Sequence, residues 1–191
     1  NLDSTAGAVI LYNFGEIKFI YNDTKSAFEI EMTRKVRIKI LDKSELEQAN
    51  IQLILYKNGK DEESISKLKA STWNVVNNKP TETELQKSAI FKKEIDQKHN
   101  SVSFAFPNVK VGSIIEYEYT LSSPFIYELP TWYFQHEIPV KTSHFTINTP
   151  EFFNYRASVK GYLQLPAALR DTRKESANFM VTTNTEIQRS S

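Results

Sequence analysis

Apolar and polar residues alternate along much of this chain with a period of two. The clearest case is residues 27–41, AFEIEMTRKVRIKIL. Phe28, Ile30, Met32, Val36, Ile38 and Ile40 hold the even positions, and Glu29, Glu31, Thr33, Lys35, Arg37 and Lys39 the odd ones. Successive side chains of a strand point to opposite faces, so the pattern predicts a strand with one buried and one wet face. Arg34 interrupts the apolar row. That calls for a bulge or bend, or for a buried arginine with a partner.

Further strands are predicted at 16–21, 51–56, 71–76, 102–106, 113–121, 145–149, 155–159 and 179–187, where β-branched and aromatic residues dominate. In 113–121, Ile115, Tyr117, Tyr119 and Leu121 alternate with Glu116, Glu118 and Thr120. Turn signals separate these runs: an exposed hairpin tip at 57–63 (KNGKDEE), Asn77-Asn78-Lys79-Pro80, and Pro107-Asn108 followed by Gly112. Helical signals are short. Residues 44–50 (SELEQAN) predict one or two turns, with Ser44 as N-cap and Glu47 in the capping-box position. Residues 83–93 predict another short helix, and 166–170 the start of a third, opening on Pro166. None is long enough to cover a sheet. Many strands and few helices predict an all-β fold, an antiparallel β-sandwich with one or two short helices, formed as a single module over 1–191.

Composition narrows the function classes. The 191 residues are enough to bury a real core, hiding roughly 70% of the unfolded surface. The formal net charge is +1, with basic residues alternating with apolar ones instead of clustering, so no nucleic-acid partner is expected. With no cysteine, disulfides, thiolate metal sites and a cysteine nucleophile within these residues are excluded. No run approaches the ~20 apolar residues of a membrane-spanning helix. The chain starts at Asn1 and not at methionine, which we read as a processed or truncated product cut from a longer protein.

Residues 122–140, SSPFIYELPTWYFQHEIPV, concentrate Phe125, Tyr127, Trp132, Tyr133 and Phe134 among Pro124, Pro130 and Pro139. Leaving these aromatics exposed would forgo on the order of 10 kcal/mol. That is comparable with a domain's whole net stability of about 5–15 kcal/mol, so most are expected inside. Alternation places Trp132, Phe134, His136 and Ile138 on the core-facing side of a strand. The prolines mark strand ends or edges, and 125–129 is expected to cross the surface. Tyr127 and Tyr133 fall outside the core-facing row and are the candidate ligand-binding residues.

Other chemistry is sparse. The histidines are His99, His136 and His144. His136 and His144 flank Pro139 and could face each other across a hairpin. Two imidazoles supply at most half of a zinc site, and no carboxylate completes it at a standard spacing, so His136 reads as a core histidine and no metal is expected. Glu116 and Glu118 share a strand face roughly 7 Å apart. Paired carboxylates can do acid–base work at a glycosidic bond, although on an alternating strand they usually make a solvated face. No nucleophile elbow, dinucleotide fingerprint or P-loop occurs. Asn22-Asp23-Thr24 matches a glycosylation sequon and also reads as a turn.

The run 106–140 resembles a family. Its features are Pro107-Asn108-Val109, then Val111-Gly112-Ser113-Ile114-Ile115-Glu116-Tyr117, then Ser123-Pro124-Phe125, Trp132-Tyr133-Phe134-Gln135 and Ile138-Pro139-Val140. Ala8-Val9-Ile10-Leu11-Tyr12, Arg37-Ile38-Lys39-Ile40-Leu41, residues 70–74 and Phe152-Phe153-Asn154-Tyr155 agree more loosely. Together they resemble the domain of unknown function that precedes a transglutaminase-like (papain-fold) domain in exported bacterial proteins. The resemblance implies a β-sandwich at the N-terminal part of a longer protein, exported to the periplasm or cell surface. It implies a downstream transglutaminase-like domain as partner, which would hold the Cys-His-Asp triad. No catalytic residue and no cofactor follow for this chain, which is expected not to be an enzyme but a non-catalytic accessory module that orients the catalytic domain or its substrate. The rival reading is a stand-alone carbohydrate- or peptide-binding module acting through Tyr127 and Tyr133. A third is an enzyme built on Glu116 and Glu118 with His136.

Overall fold

Strands β1 (Ala8–Asn22) and β2 (Ala27–Ile40) form one long antiparallel hairpin in the computed structural model, which describes residues 5–151, 153 and 155. The alternation of residues 27–41 is what builds it. Ile30, Met32, Val36, Ile38 and Ile40 are buried, while Glu29, Glu31 and Lys35 line the opposite face. Strand β2 runs in unbroken register past Arg34, which pairs with Gly15 on one side and Tyr119 on the other. Of the two explanations for Arg34, the partnered arginine is therefore the one realised. The irregularity sits instead in β1, between Ile10 and Tyr12.

The remaining strands are β3 (Asn50–Asn58), β4 (Asp61–Glu62), β5 (Ser64–Val76), β6 (Lys79–Glu84), β7 (Phe91–Glu94), β8 (His99–Ala105), β9 (Ile114–Ser123) and β10 (Ser143–Asn148). They form two sheets. One has six strands in the order β10-β1-β2-β9-β5-β6, and the other four in the order β4-β3-β8-β7. The fold is all-β and sandwich-like, as the periodicity predicts. Phe104 of the smaller sheet meets the buried face of β9, its ring edge to face with Tyr117 at 6.2 Å, and Val102 is buried in the same core. Compactness divides the chain into two units, residues 1–153 and 154–191.

Several local expectations are corrected. The short helix is a 3-10 helix, Lys43–Ala49, and its cap is Asp42, whose carboxylate accepts from the Ser44 N–H; Ser44 lies inside. Residues 83–93 are not a helix. They hold the end of β6, a single 3-10 turn (Lys87–Ala89) and the start of β7. Strand β6 was hidden because its sequence, KPTETE, has no apolar face; it is an edge strand, where Pro80 and alternating charge are tolerated. Asn77 and Asn78, both at positive φ, make the tight β5–β6 turn that pairs Val76 with Lys79. Gly112, at φ +91°, supplies the left-handed position expected of it before β9. Strand β10 joins β1 in parallel, whereas every other strand pair among the described residues is antiparallel. The predictions at 166–170 and 179–187, and at 155–159 beyond Tyr155, lie outside the described residues.

Candidate functional site

Between β9 and β10 the chain leaves the large sheet, passes over its core-facing side and returns alongside β1. This crossing, residues 124–142, contains the aromatic stretch. It is not a strand. Its exit is pinned by Phe125, whose N–H donates to Ser123 Oγ at 3.2 Å and whose ring meets Tyr56 of β3 at 4.9 Å. Its return is zipped to β1 by the backbone. The Ile10 N–H donates to the Pro139 carbonyl at 2.9 Å, Lys141 N–H to the Ile10 carbonyl at 2.8 Å, and Asn13 N–H to the Thr142 carbonyl at 2.9 Å.

The middle is anchored by one side chain. The Trp132 ring lies against Gly15 so closely that a Cβ built there would stand 2.4 Å from Trp132 Cζ3. The same ring stacks on Phe145 at 4.7 Å and 8°, receives the Arg34 guanidinium at 5.3 Å, and donates its Nε1–H to Ser143 Oγ at 3.1 Å. Gly15 is thus a place where backbone must approach an aromatic face, which any side chain would block. Beside it lies Asn13, fully buried, with its Oδ1 accepting from Arg34 Nε at 3.1 Å. Its Nδ2 is 3.3 Å from His136 Nε2 and 3.4 Å from the Tyr133 carbonyl.

The alternation expected along 131–138 survives in burial although no strand forms. Trp132 and Phe134 are half-buried and Ile138 is buried, but His136 remains accessible and is not a core histidine. The two candidate ligand residues are outside: Tyr127 is 93% exposed and Tyr133 65%. Two open clefts elsewhere on the surface, of about 270 and 500 Å³, are lined by neither tyrosine. The tyrosines form protrusions on an anchored crossing.

His136 and His144 do not face each other. His136 meets Asn13 on the core-facing side of the sheet, whereas His144 sits on the outer side, bonded to Thr146 Oγ1 at 3.1 Å and edge-on to Phe14. Glu116 and Glu118 also occupy the outer side, so the structure does not bring them to His136. Their charge is matched locally. Glu116 Oε2 lies 2.6 Å from Arg37 Nε and accepts from the Tyr12 hydroxyl at 2.6 Å, and Lys35 stands 3.7 Å from both carboxylates. Arg37 Nε is poorly aligned for a hydrogen bond, so the contact is an ion pair. Burial first, then the carboxylate of Glu116, holds the Tyr12 phenol well above its usual range. This is the solvated face of an alternating strand. Among the described residues no group of three or more His, Asp or Glu is placed to hold a metal ion, and no helix is long and apolar enough to cross a membrane.

The family DUF3857, a domain of unknown function with a solved structure, matches residues 26–183. The chain belongs to the DUF3857 family. No curated protein matches it. Among solved structures, the fold is similar to the crystal structure of a candidate protease from Parabacteroides distasonis, with a TM-score of 0.55 at 13% identity over 76% of this chain. This chain spans 29% of that protein's length.

Within this DUF3857 chain, the residues that periodicity alone missed are Asn13 and Gly15. Both stand at apolar positions of β1, opposite Val36 and Arg34. The signal was present in part, since a strand row broken by Arg34 needs polar company and space from its neighbours.

Proposed function

We propose that this DUF3857 chain is a non-catalytic accessory module of an exported protein that carries a transglutaminase-like or cysteine-peptidase-like domain, and that it orients that domain or its substrate. The observation that carries the reading is the crossing over the large sheet. It is fixed to β1 and at Gly15, yet it holds Tyr127 at 93% exposure and Tyr133 at 65%. Large amphipathic rings on a preorganised backbone are suited to a docking surface, because little conformational freedom is lost when they are covered. Two facts support the remainder. The similar solved structure is a protein of which this fold is only 29%. The chain also has no cysteine, so a cysteine nucleophile would have to lie outside these residues.

The test is hydrogen exchange on the full-length protein beside the isolated 191-residue chain. Amides of 124–134 are expected to exchange more slowly in the full-length protein, and Tyr127→Ala with Tyr133→Ala should remove the difference. Both substitutions should change folding stability by no more than about 0.5 kcal/mol, as at other exposed positions. Equal exchange in the two proteins would sink the docking role. The exposure of Tyr127 also favours a second reading, a carbohydrate- or peptide-binding module. Saturable glycan or peptide binding by the isolated chain, lost in Tyr127→Ala, would move the conclusion there.

A further inference from the structure

The way the crossing is held to β1 has a chemical polarity. Arginine is a donor only, so the atom of Asn13 that faces Arg34 Nε must be its carbonyl oxygen. That choice turns the Asn13 amide nitrogen, also a donor only, toward His136 Nε2 and the Tyr133 carbonyl. His136 Nε2 must then accept, and the ring can do so only when Nε2 carries no proton. Asn13 is fully buried, so its donors and acceptor are held to these protein partners.

We infer that Arg34, Asn13 and His136 form a proton-sensitive latch that holds the crossing to the large sheet when His136 is neutral and loosens it when His136 is protonated. Protonation would set two N–H donors against each other across 3.3 Å and add a second cation near Arg34. The groups around the imidazole favour its neutral form. The ring is accessible at its outer edge but partly desolvated where it meets Asn13; that desolvation, then the field of Arg34, holds His136 below the usual histidine range, and the Tyr133 carbonyl acts the other way. Among the described residues, Arg34 is the charged group whose field reaches the ring. Asn13 from β1 is neutral. The Tyr119 phenol of β9, which shares Arg34, is kept neutral because burial raises it. A histidine lowered in the closed form binds its proton more tightly in the open form. Stability of the closed crossing is therefore full above the ordinary imidazole range and declines as pH falls through about 6.5 toward the lowered value. The latch acts whatever partner the crossing meets.

The experiment follows amide protection factors of 124–142 in the 191-residue chain, with the His136 ring titrated by NMR in the same samples. Protection is expected to fall as His136 protonates, by roughly tenfold for each tenfold difference in its proton affinity between the open and closed forms. His136→Gln keeps a neutral acceptor and should make protection insensitive to pH over that range. Asn13→Asp gives a carboxylate that accepts from Arg34 and from cationic His136 together, so it should raise the His136 titration and reverse the response. Protection that stays constant while His136 titrates would overturn the latch, and so would an unchanged pH response in His136→Gln. The glutamine variant decides the matter alone if the aspartate variant does not fold.

Discussion

Gly15→Ala is expected to destabilise the chain by about 1–3 kcal/mol, although it adds a single methyl group to a strand. In a strand interior such a change would ordinarily help, because glycine loses more backbone freedom on folding than alanine does. Here the new Cβ would stand 2.4 Å from Trp132 Cζ3, 2.7 Å from Cη2 and 2.9 Å from Phe145 Cδ2. All three obstacles are ring atoms of one stacked pair. The indole has to tilt away, which disrupts its stack, its contact with Arg34 and its bond to Ser143. The measurement is urea denaturation, together with Trp132 emission and acrylamide quenching in a Trp73→Phe background. Lower stability with a red-shifted, more readily quenched Trp132 is the expected result. A stabilised variant with unchanged emission would show that the crossing does not rest on Gly15. Because the two residues touch, the cost should shrink when Trp132 is also shortened to leucine, a coupling that distant sites would not show.

Phe104→Ala should cost more, about 3–5 kcal/mol. Phe104 is almost fully buried in β8, and its ring meets Phe106 at 5.6 Å and Tyr117 at 6.2 Å. Tyr117 belongs to the large sheet, so this cluster joins the two layers, and removing the ring leaves a cavity that neither sheet can close without moving. Against a typical net stability of about 5–15 kcal/mol, such a loss brings the fold toward its limit. A midpoint in urea shifted by the equivalent of less than about 1 kcal/mol would mean that the sheets are joined elsewhere.

The strands that were legible are those with one wet and one dry face. β2 and β9 follow the expected alternation almost residue by residue, because a strand half-buried on a sheet must separate its apolar and polar positions. The edge strands β4, β6 and β7 were not legible. Their side chains are almost all exposed, so burial left no mark on their composition. The segment 83–93 looked helical for a related reason: polar residues without a period suit a helix surface as well as an edge.

The crossing divides in the same way. Its burial order was readable, since Trp132, Phe134 and Ile138 turn inward and Tyr127 and Tyr133 outward. That it forms no strand was not read from the alternation, although its three prolines remove donors that a ladder requires. The core histidine failed because alternation assigns a side and not a depth, and His136 lies on the core-facing side yet stays accessible; the His136–His144 pair failed because β10 turns His144 to the outer side of the sheet.

By itself the sequence determined that the chain is all-β, which strand faces are dry, and that no cysteine chemistry resides here. Each of these depends on local period or on composition, and both are written along the chain. Only the tertiary structure decided that β10 pairs in parallel with β1, that Gly15 makes room for Trp132, and that Asn13 stands between Arg34 and His136. These contacts join residues more than a hundred positions apart in the case of Gly15 with Trp132 and Asn13 with His136. At such separation, partner choice depends on which surfaces the folded sheet leaves open, and no local pattern encodes that.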